Sequence, residues 1–266
     1  MKRYFSAAPV IVGGVGGSGT RIIAEILKQS RIFMGSLLNV ANDNMQLAKK
    51  FPYMRDIIQD RESVNQQFLM KLIHLLHWKS NYEKTIVNRT LEQFEKLMFI
   101  DYQKRKEEYN GWGWKVPGNY FILKHTATRY KDLKYIHIMR NGLDMAFSSN
   151  QNQLTNWGKF YGVDKKNLSL PRASLNFWYA ANKRAILDAK ELLNNNFLLI
   201  RFEELCFNPE KIITDILNFI NIDDLNLSEI IKLVKIPDTI NRYKNSDLTV
   251  FNKEDFNKLK ELGYNK

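Results

Sequence analysis

A chain of 266 residues with 44% hydrophobic and 12% aromatic residues is long enough to enclose one substantial core and too apolar to be disordered. Its 40 Lys and Arg against 28 Asp and Glu leave a charge of +12, which calls for an anionic partner. The basic residues are scattered, with no Lys/Arg block and no zinc-finger or RNA-binding signature, so nucleic acid is not the expected partner. Cys206 is the single cysteine, no intrachain disulfide is possible, and no run reaches the roughly 20 apolar residues of a membrane span. A soluble, cytoplasmic protein is expected.

The chain opens with a β-branched run, Val10 to Val12, that reads as a buried parallel strand. Five glycines between Gly13 and Gly19 then allow a sharp turn and a close approach to a ligand. Ile22, Ile23, Ile26 and Leu27 give the next segment one apolar helical face. The loop therefore empties onto a helix N-terminus, where free amides and the helix dipole favour a phosphate or sulfate. A tight strand-to-helix turn without a ligand is the plain alternative.

Gly14, Gly16 and Gly19 satisfy the dinucleotide pattern GxGxxG, but that pattern wants an acidic residue closing the second strand. Here Arg31 to Met34 runs into Gly35 and Ser36. The nucleotide triphosphatase pattern GxxxxGK[ST] fits Gly14 and Gly19, then fails, with Thr20 in the lysine position and Arg21 in that of the magnesium-holding hydroxyl. The loop can hold an anion without a built-in metal ligand.

Further along, Gly35 to Asn44 is turn-rich and Met45 to Phe51 is expected to be helical, capped by Asn42 or Asp43. Val64 to Trp78 and about Leu91 to Tyr109 predict two helices, part of an inserted helical block (roughly 52–110) where an acceptor pocket is often built. Gly111 to Pro117 reads as a short strand, Tyr120 to Tyr130 as a crossover helix, and Lys134 to Arg140 as a central strand. A helix is expected at Leu143 to Asn150, a loop at Asn152 to Leu170, a long helix at Pro171 to Leu193 and a strand at Asn196 to Phe202. Pro209 opens another helix, and a basic loop precedes a last one at Glu254 to Leu262. Alternating strands and helices predict a single α/β domain over residues 1–266, a three-layer α/β/α fold with a mainly parallel central sheet.

Two stretches taken together resemble a known family, the sulfotransferases that use 3′-phosphoadenosine 5′-phosphosulfate (PAPS). Gly16 to Arg21, GGSGTR, is similar to their 5′-phosphosulfate loop, and Arg140 to Ser148, RNGLDMAFS, to their 3′-phosphate site. Arg201 to Pro209 resembles the strand and turn that bring an aromatic, here Phe202, to the adenine, and the segment from Arg242 to Tyr264 resembles the closing basic loop and last helix. The resemblance implies a P-loop-like sulfotransferase that moves a sulfuryl group from PAPS to an acceptor hydroxyl or amine, releases adenosine 3′,5′-bisphosphate (PAP), and needs no metal. It implies nucleotide contacts from Gly16, Gly17, Ser18, Gly19, Thr20, Arg21, Arg140, Ser148, Phe202 and Arg242.

An arginine fork with a hydroxyl beside it suits a phosphate; the alternative, a surface i,i+4 pair of Arg140 with Asp144, leaves Ser148 unexplained. The family usually has Lys or Arg immediately before SGT, where this chain has Gly17. Arg21 or Lys115 is expected to supply the missing charge, and Lys115 is preferred because WGWKVP resembles the family's catalytic-lysine strand. Pro117 stands where the cytosolic branch has a histidine, and the resemblance implies a carboxylate base instead, as in the branches acting on protein tyrosine and on glycans. Asp43 lies about as far beyond the loop as the bases of those branches do, though as part of ANDNMQL it also suits a helix cap. His125 and His137 are the other candidate bases, and His74 and His77 lack the glutamate of HExxH. Trp112, Trp114, Trp157 and Trp178 belong either to the core or to a sugar- or aryl-binding surface. The acceptor, a small molecule or a glycan, is not written in these motifs. A P-loop nucleotide kinase, a basic nucleic-acid or anion-binding module and a catalytically dead relative are the competing readings.

Overall fold

The computed structural model describes residues 2–54, 69–164, 167–223 and 225–265, with side chains described from residue 84 onward in the helix that begins at Leu69. Five short strands, β1 (Val10–Gly13), β2 (Ile32–Phe33), β3 (Gly111–Lys115), β4 (Lys134–Met139) and β5 (Phe197–Arg201), form one sheet in the order β2-β3-β1-β4-β5. Every pairing is parallel. The register sets Val12 beside Lys115 on one side and Ile136 on the other, so β1 carries its glycine loop to the middle of the sheet's carboxyl edge.

Side chains of a strand alternate between faces, and here both faces are apolar. Val10, Val12, Ile136, Ile138 and Ile200 pack with Ile23, Ile26 and Leu27 of α1 (Thr20–Gln29) on one face. Ile11, Trp112, Trp114, Tyr135 and Met139 face the other way, against α3 (Leu69–Gln103), α4 (Leu123–Arg129) and α7 (Leu170–Leu193). Burial on both faces is what an all-parallel sheet requires, and the three-layer arrangement expected from the alternating pattern is present. Trp112, Trp114, Trp157 and Trp178 are all buried in this core, which settles their alternative in favour of packing.

Several boundaries differ from expectation. The helix after the turn-rich segment is α2 (Met45–Ala48), and its cap is Asn44, whose side chain accepts from the amides of Gln46 and Leu47. Asn42 instead takes a left-handed turn, φ 60°, and Asp43 is left for another partner. The two helices expected in the inserted block are one, α3. The polar stretch between them holds neither Gly nor Pro, so nothing breaks the backbone. Val87, Leu91, Phe94 and Met98 keep helical spacing and are fully or nearly buried. Residues 64–68 of the first expected helix lie outside the described residues.

The crossover helix begins as a 3₁₀ turn over Pro117–Ile122 before α4. The helix after β4, α5 (Gly142–Ala146), ends before Ser148. The expected loop beyond it contains α6 (Asn152–Trp157). Phe202 does not close β5 but opens α8 (Phe202–Phe207), followed by α9 (Pro209–Ile220), α10 (Leu227–Ile231) and α11 (Lys253–Glu261).

Candidate functional site

The carboxyl ends of β1, β3, β4 and β5 bring together nearly all the residues singled out from the sequence. At β1 the chain leaves the sheet through the glycine loop, and α1 starts from Gly19 with no side chain capping its N-terminus and no acidic residue in its first turn. That end of the helix keeps its dipole and its amides for an anion. Gly17 and Gly19 both lie in left-handed backbone, φ 94° and 99°, a conformation strained for other residues. At Gly17 a Cβ would stand 3.3 Å from Met145 Cε. The absence of a basic side chain at this position is therefore built into the loop's shape.

The loop is anchored from three sides. Ser18 is buried and its hydroxyl donates to the Ile138 carbonyl at 2.9 Å, so that side chain holds the loop to β4. The Gly14 amide donates to the Pro117 carbonyl at 3.0 Å, and the Gly16 amide to Gln153 Oε1 at 2.7 Å. Thr20 is buried while Arg21 is exposed.

Phe202 joins the two halves of the site. Its ring packs on the α-carbon of Gly19 so closely that a Cβ there would overlap it, and its centroid lies 5.2 Å from the Arg140 guanidinium, within cation–π range. Phe202 is thus both buried, at 9% exposure, and at the junction of the loop with the arginine.

Arg140 follows the end of β4 with its side chain 4% exposed. Its Nη2 donates to Asp144 Oδ2 at 3.3 Å and to the Thr239 carbonyl, while its Nε is buried without a partner. The i,i+4 pair with Asp144 exists, but it is buried rather than on the surface, because the basic loop folds over it. Asp144 also accepts from the amides of Asn241, at 2.9 Å, and Tyr243, at 3.3 Å. Arg242, carried by that loop, donates to the same Thr239 carbonyl at 3.2 Å. Burial, and then the charge of Arg140, push the Arg242 guanidinium below its ordinary value. The Asp144 carboxylate attracts both guanidinium groups, and the Glu203 carboxylate also feels the charge of Arg140. Ser148, expected on the helix with Arg140, lies beyond its end, accepts from the Asn150 amide at 3.2 Å, and makes no hydrogen bond to Arg140 among the described residues.

The catalytic candidates also converge. Lys115 ends β3 at 2% exposure and its ammonium donates to Asp43 Oδ1 at 2.5 Å and to the Ala41 carbonyl at 2.8 Å. Asn39 donates to the other carboxylate oxygen of Asp43 at 2.9 Å. Burial pushes Lys115 below its ordinary value, the Asp43 carboxylate opposes that shift, and the charge of Arg21 adds to it. Asp43 is therefore an ion-pair partner and not a helix cap. His137 bonds neutral groups rather than Lys115 or Asp43. Burial lowers it to about 4, and its ring is held between the Tyr135 hydroxyl and the Asn182 amide oxygen, each at 2.8 Å.

Sequence reasoning missed Gln153, which meets Gly16 from 137 residues away with no local signal. It also missed Glu203, which follows Phe202, accepts from the Asn141 amide at 2.8 Å and the Tyr264 hydroxyl at 3.2 Å, and ties the last helix to the end of β4. The acidic pair after Phe202 was the only signal for it.

Comparison with solved structures finds the same fold. The sulfotransferase domain of the olefin synthase of Synechococcus PCC 7002 is 12% identical, with 100% of this chain and 99% of that one covered and a TM-score of 0.56. A sulfotransferase of Alicyclobacillus acidocaldarius is 14% identical, with 98% of each chain covered and a TM-score of 0.51. No curated protein matches by sequence. A family model described as "Sulfotransferase family" matches residues 9–226, from the first strand through the glycine loop, Lys115, Arg140 and Phe202. By that match the chain belongs to the sulfotransferase family.

Proposed function

We propose that this protein transfers a sulfuryl group from PAPS to the hydroxyl of a small-molecule or glycan acceptor in the cytoplasm. The observation that carries the reading is the buried Arg140, with its Nε unpartnered and a second guanidinium, Arg242, beside it. A buried charged donor without a partner is costly, and a 3′-phosphate would supply the missing acceptor. Phe202 links this pocket to the glycine loop, so a nucleotide with one anionic group at each end fits the donor set. The loop residues Gly16 to Arg21 would hold the 5′ end through backbone amides at the start of α1. Ser148 would add a hydroxyl at the 3′ end.

PAPS supplies the activated sulfuryl group; the chain supplies alignment and charge. Lys115 and Arg21 would face the negative charge left, with its electron pair, on the bisphosphate oxygen when the old S–O bond breaks. Asp43 would take the proton released by the acceptor hydroxyl as its oxygen bonds to sulfur. Because Lys115 and Asn39 hold both oxygens of Asp43, one of these contacts must open for that transfer.

Calorimetry without magnesium tests the reading with PAP and ADP on the wild type and on Arg140→Ala. PAP should bind well above ADP, and the substitution should weaken PAP by roughly tenfold to a hundredfold, the value of one or two hydrogen bonds to a charged group. Equal or absent binding of both nucleotides would refute the assignment.

A further inference from the structure

The glycine loop is poor in side chains that can donate to a ligand. Gly16, Gly17 and Gly19 have none and the Ser18 hydroxyl is spent on Ile138, which leaves Thr20 and Arg21 at the start of α1. The polar side chain that reaches the loop comes from α6. Gln153 is half-buried, its Oε1 accepts the Gly16 amide at 2.7 Å, and the same oxygen accepts the Tyr120 hydroxyl at 3.3 Å. Tyr120 is 3% exposed and burial pushes its phenol well up, so it stays a donor.

Two donors on one oxygen fix which way the amide faces. Oε1 must lie against Gly16 and Tyr120, which turns the Nε2 amino group away from them. Nε2 makes no hydrogen bond among the described residues. It lies 3.6 Å from where a Gly16 Cβ would stand, and thus beside the loop, not behind the sheet. A neutral amino group fixed in this way is a preorganised donor, and such donors act most strongly on charge spread over oxygens in a partly desolvated site.

Resting on the PAPS reading above, we propose that Gln153 is a substrate-contacting residue whose Nε2 donates to a sulfuryl oxygen, while its Oε1 keeps the Gly16 amide in place. Gln153 supplies from α6 a side-chain donor beside Gly16, where the loop has only glycines.

Gln153→Glu separates the two roles. A carboxylate still accepts from Gly16 and Tyr120, so the loop stays anchored, but it cannot donate and it repels the sulfuryl group. PAP binding is measured directly by calorimetry and PAPS binding by displacement of PAP. At about pH 8 the variant should bind PAPS roughly tenfold to a hundredfold more weakly than the wild type, and PAP, whose 5′-phosphate meets the same charge but which offers no sulfuryl oxygen, should be weakened several-fold less. Toward about pH 5, where the new carboxyl begins to take up a proton, the PAPS deficit should shrink.

Equal weakening of both nucleotides would show that Gln153 only holds the loop, and no change in either would show that Nε2 faces no ligand; both results overturn the proposal. Should the carboxylate prevent folding, Gln153→Met serves instead, with PAPS again weakened several-fold more than PAP. A wild-type protein that binds neither nucleotide fails the PAPS reading itself, and with it this inference.

Discussion

Two buried arginine–carboxylate pairs sit at opposite ends of the molecule's logic. Arg129 and Glu95 are 1% and 0% exposed and meet at 2.5 Å. Glu95 also accepts the Tyr130 hydroxyl at 3.0 Å and the amides of Tyr4 and Phe5 at 2.8 and 3.3 Å. That carboxylate clasps the N-terminal segment and α4 to the long helix α3, and its charge is met by Arg129, by Arg3 at 3.7 Å and by three further donors. Arg140 and Asp144 are as deeply buried but differ in balance. There the carboxylate serves two loop amides and one guanidinium, and Arg140 Nε has no acceptor. The first pair is completed by the chain itself; the second leaves one buried donor open.

The strongest way to break this comparison is to remove the satisfied carboxylate. Glu95→Ala should lower unfolding stability by about 3–5 kcal/mol, the usual result of stranding one member of a buried pair, as read from urea denaturation. A loss below about 1 kcal/mol would mean that the clasp is not structural. Arg140→Ala should cost less stability, because Asp144 keeps two backbone amides, and should instead erase the response to nucleotide. PAP at about a hundred times its dissociation constant should stabilise the wild type by about 2.7 kcal/mol and leave this variant nearly unmoved.

A third buried group separates burial from charge. His137 has only neutral partners, Tyr135 and Asn182, and burial depresses it from 6.5 to about 4. The unfolded chain binds this proton first as the pH falls. The contribution of the neutral imidazole is therefore complete above pH 6.5 and is lost between 6.5 and about 4, to a total of roughly 3 kcal/mol. His137→Asn should flatten that part of the stability profile, and an unchanged slope would contradict the assignment. The smallest effect is expected at Gly17. Replacing it with lysine places a side chain at φ 94° against Met145 and should destabilise the fold by about 1–2 kcal/mol, weakening rather than improving PAP binding.

The expected strands at β1, β3, β4 and β5, the helix opened by Pro209 and the glycine loop were legible because each rests on a local signal: a β-branched run, a proline at the first turn, glycines at left-handed positions. The single helix α3 was not, since a polar stretch without a breaker looks like a boundary when only the apolar spacing is counted. The Asn44 cap was missed by one residue for a similar reason. Three neighbouring Asx residues offer nearly equal capping chemistry, and the turn at Asn42 decides among them. For the site, the residue types in GGSGTR and RNGLDMAFS were readable, but the purpose of Asp144 was not. Its partners Asn241 and Tyr243 lie nearly a hundred residues away.

The sequence by itself determined the element types and the glycine turn at the start of α1, because neighbours in the chain set periodicity and turn geometry, while Lys115, Arg140 and Arg242 became candidates through the resemblance to the sulfotransferases. Tertiary structure alone decided that Lys115 meets Asp43 across 72 residues, that Gln153 meets Gly16 across 137, and that Phe202 lies between Gly19 and Arg140. Those meetings follow from the strand order β2-β3-β1-β4-β5. Parallel strands bring their carboxyl ends, and every loop that leaves them, to one edge whatever their separation in the chain.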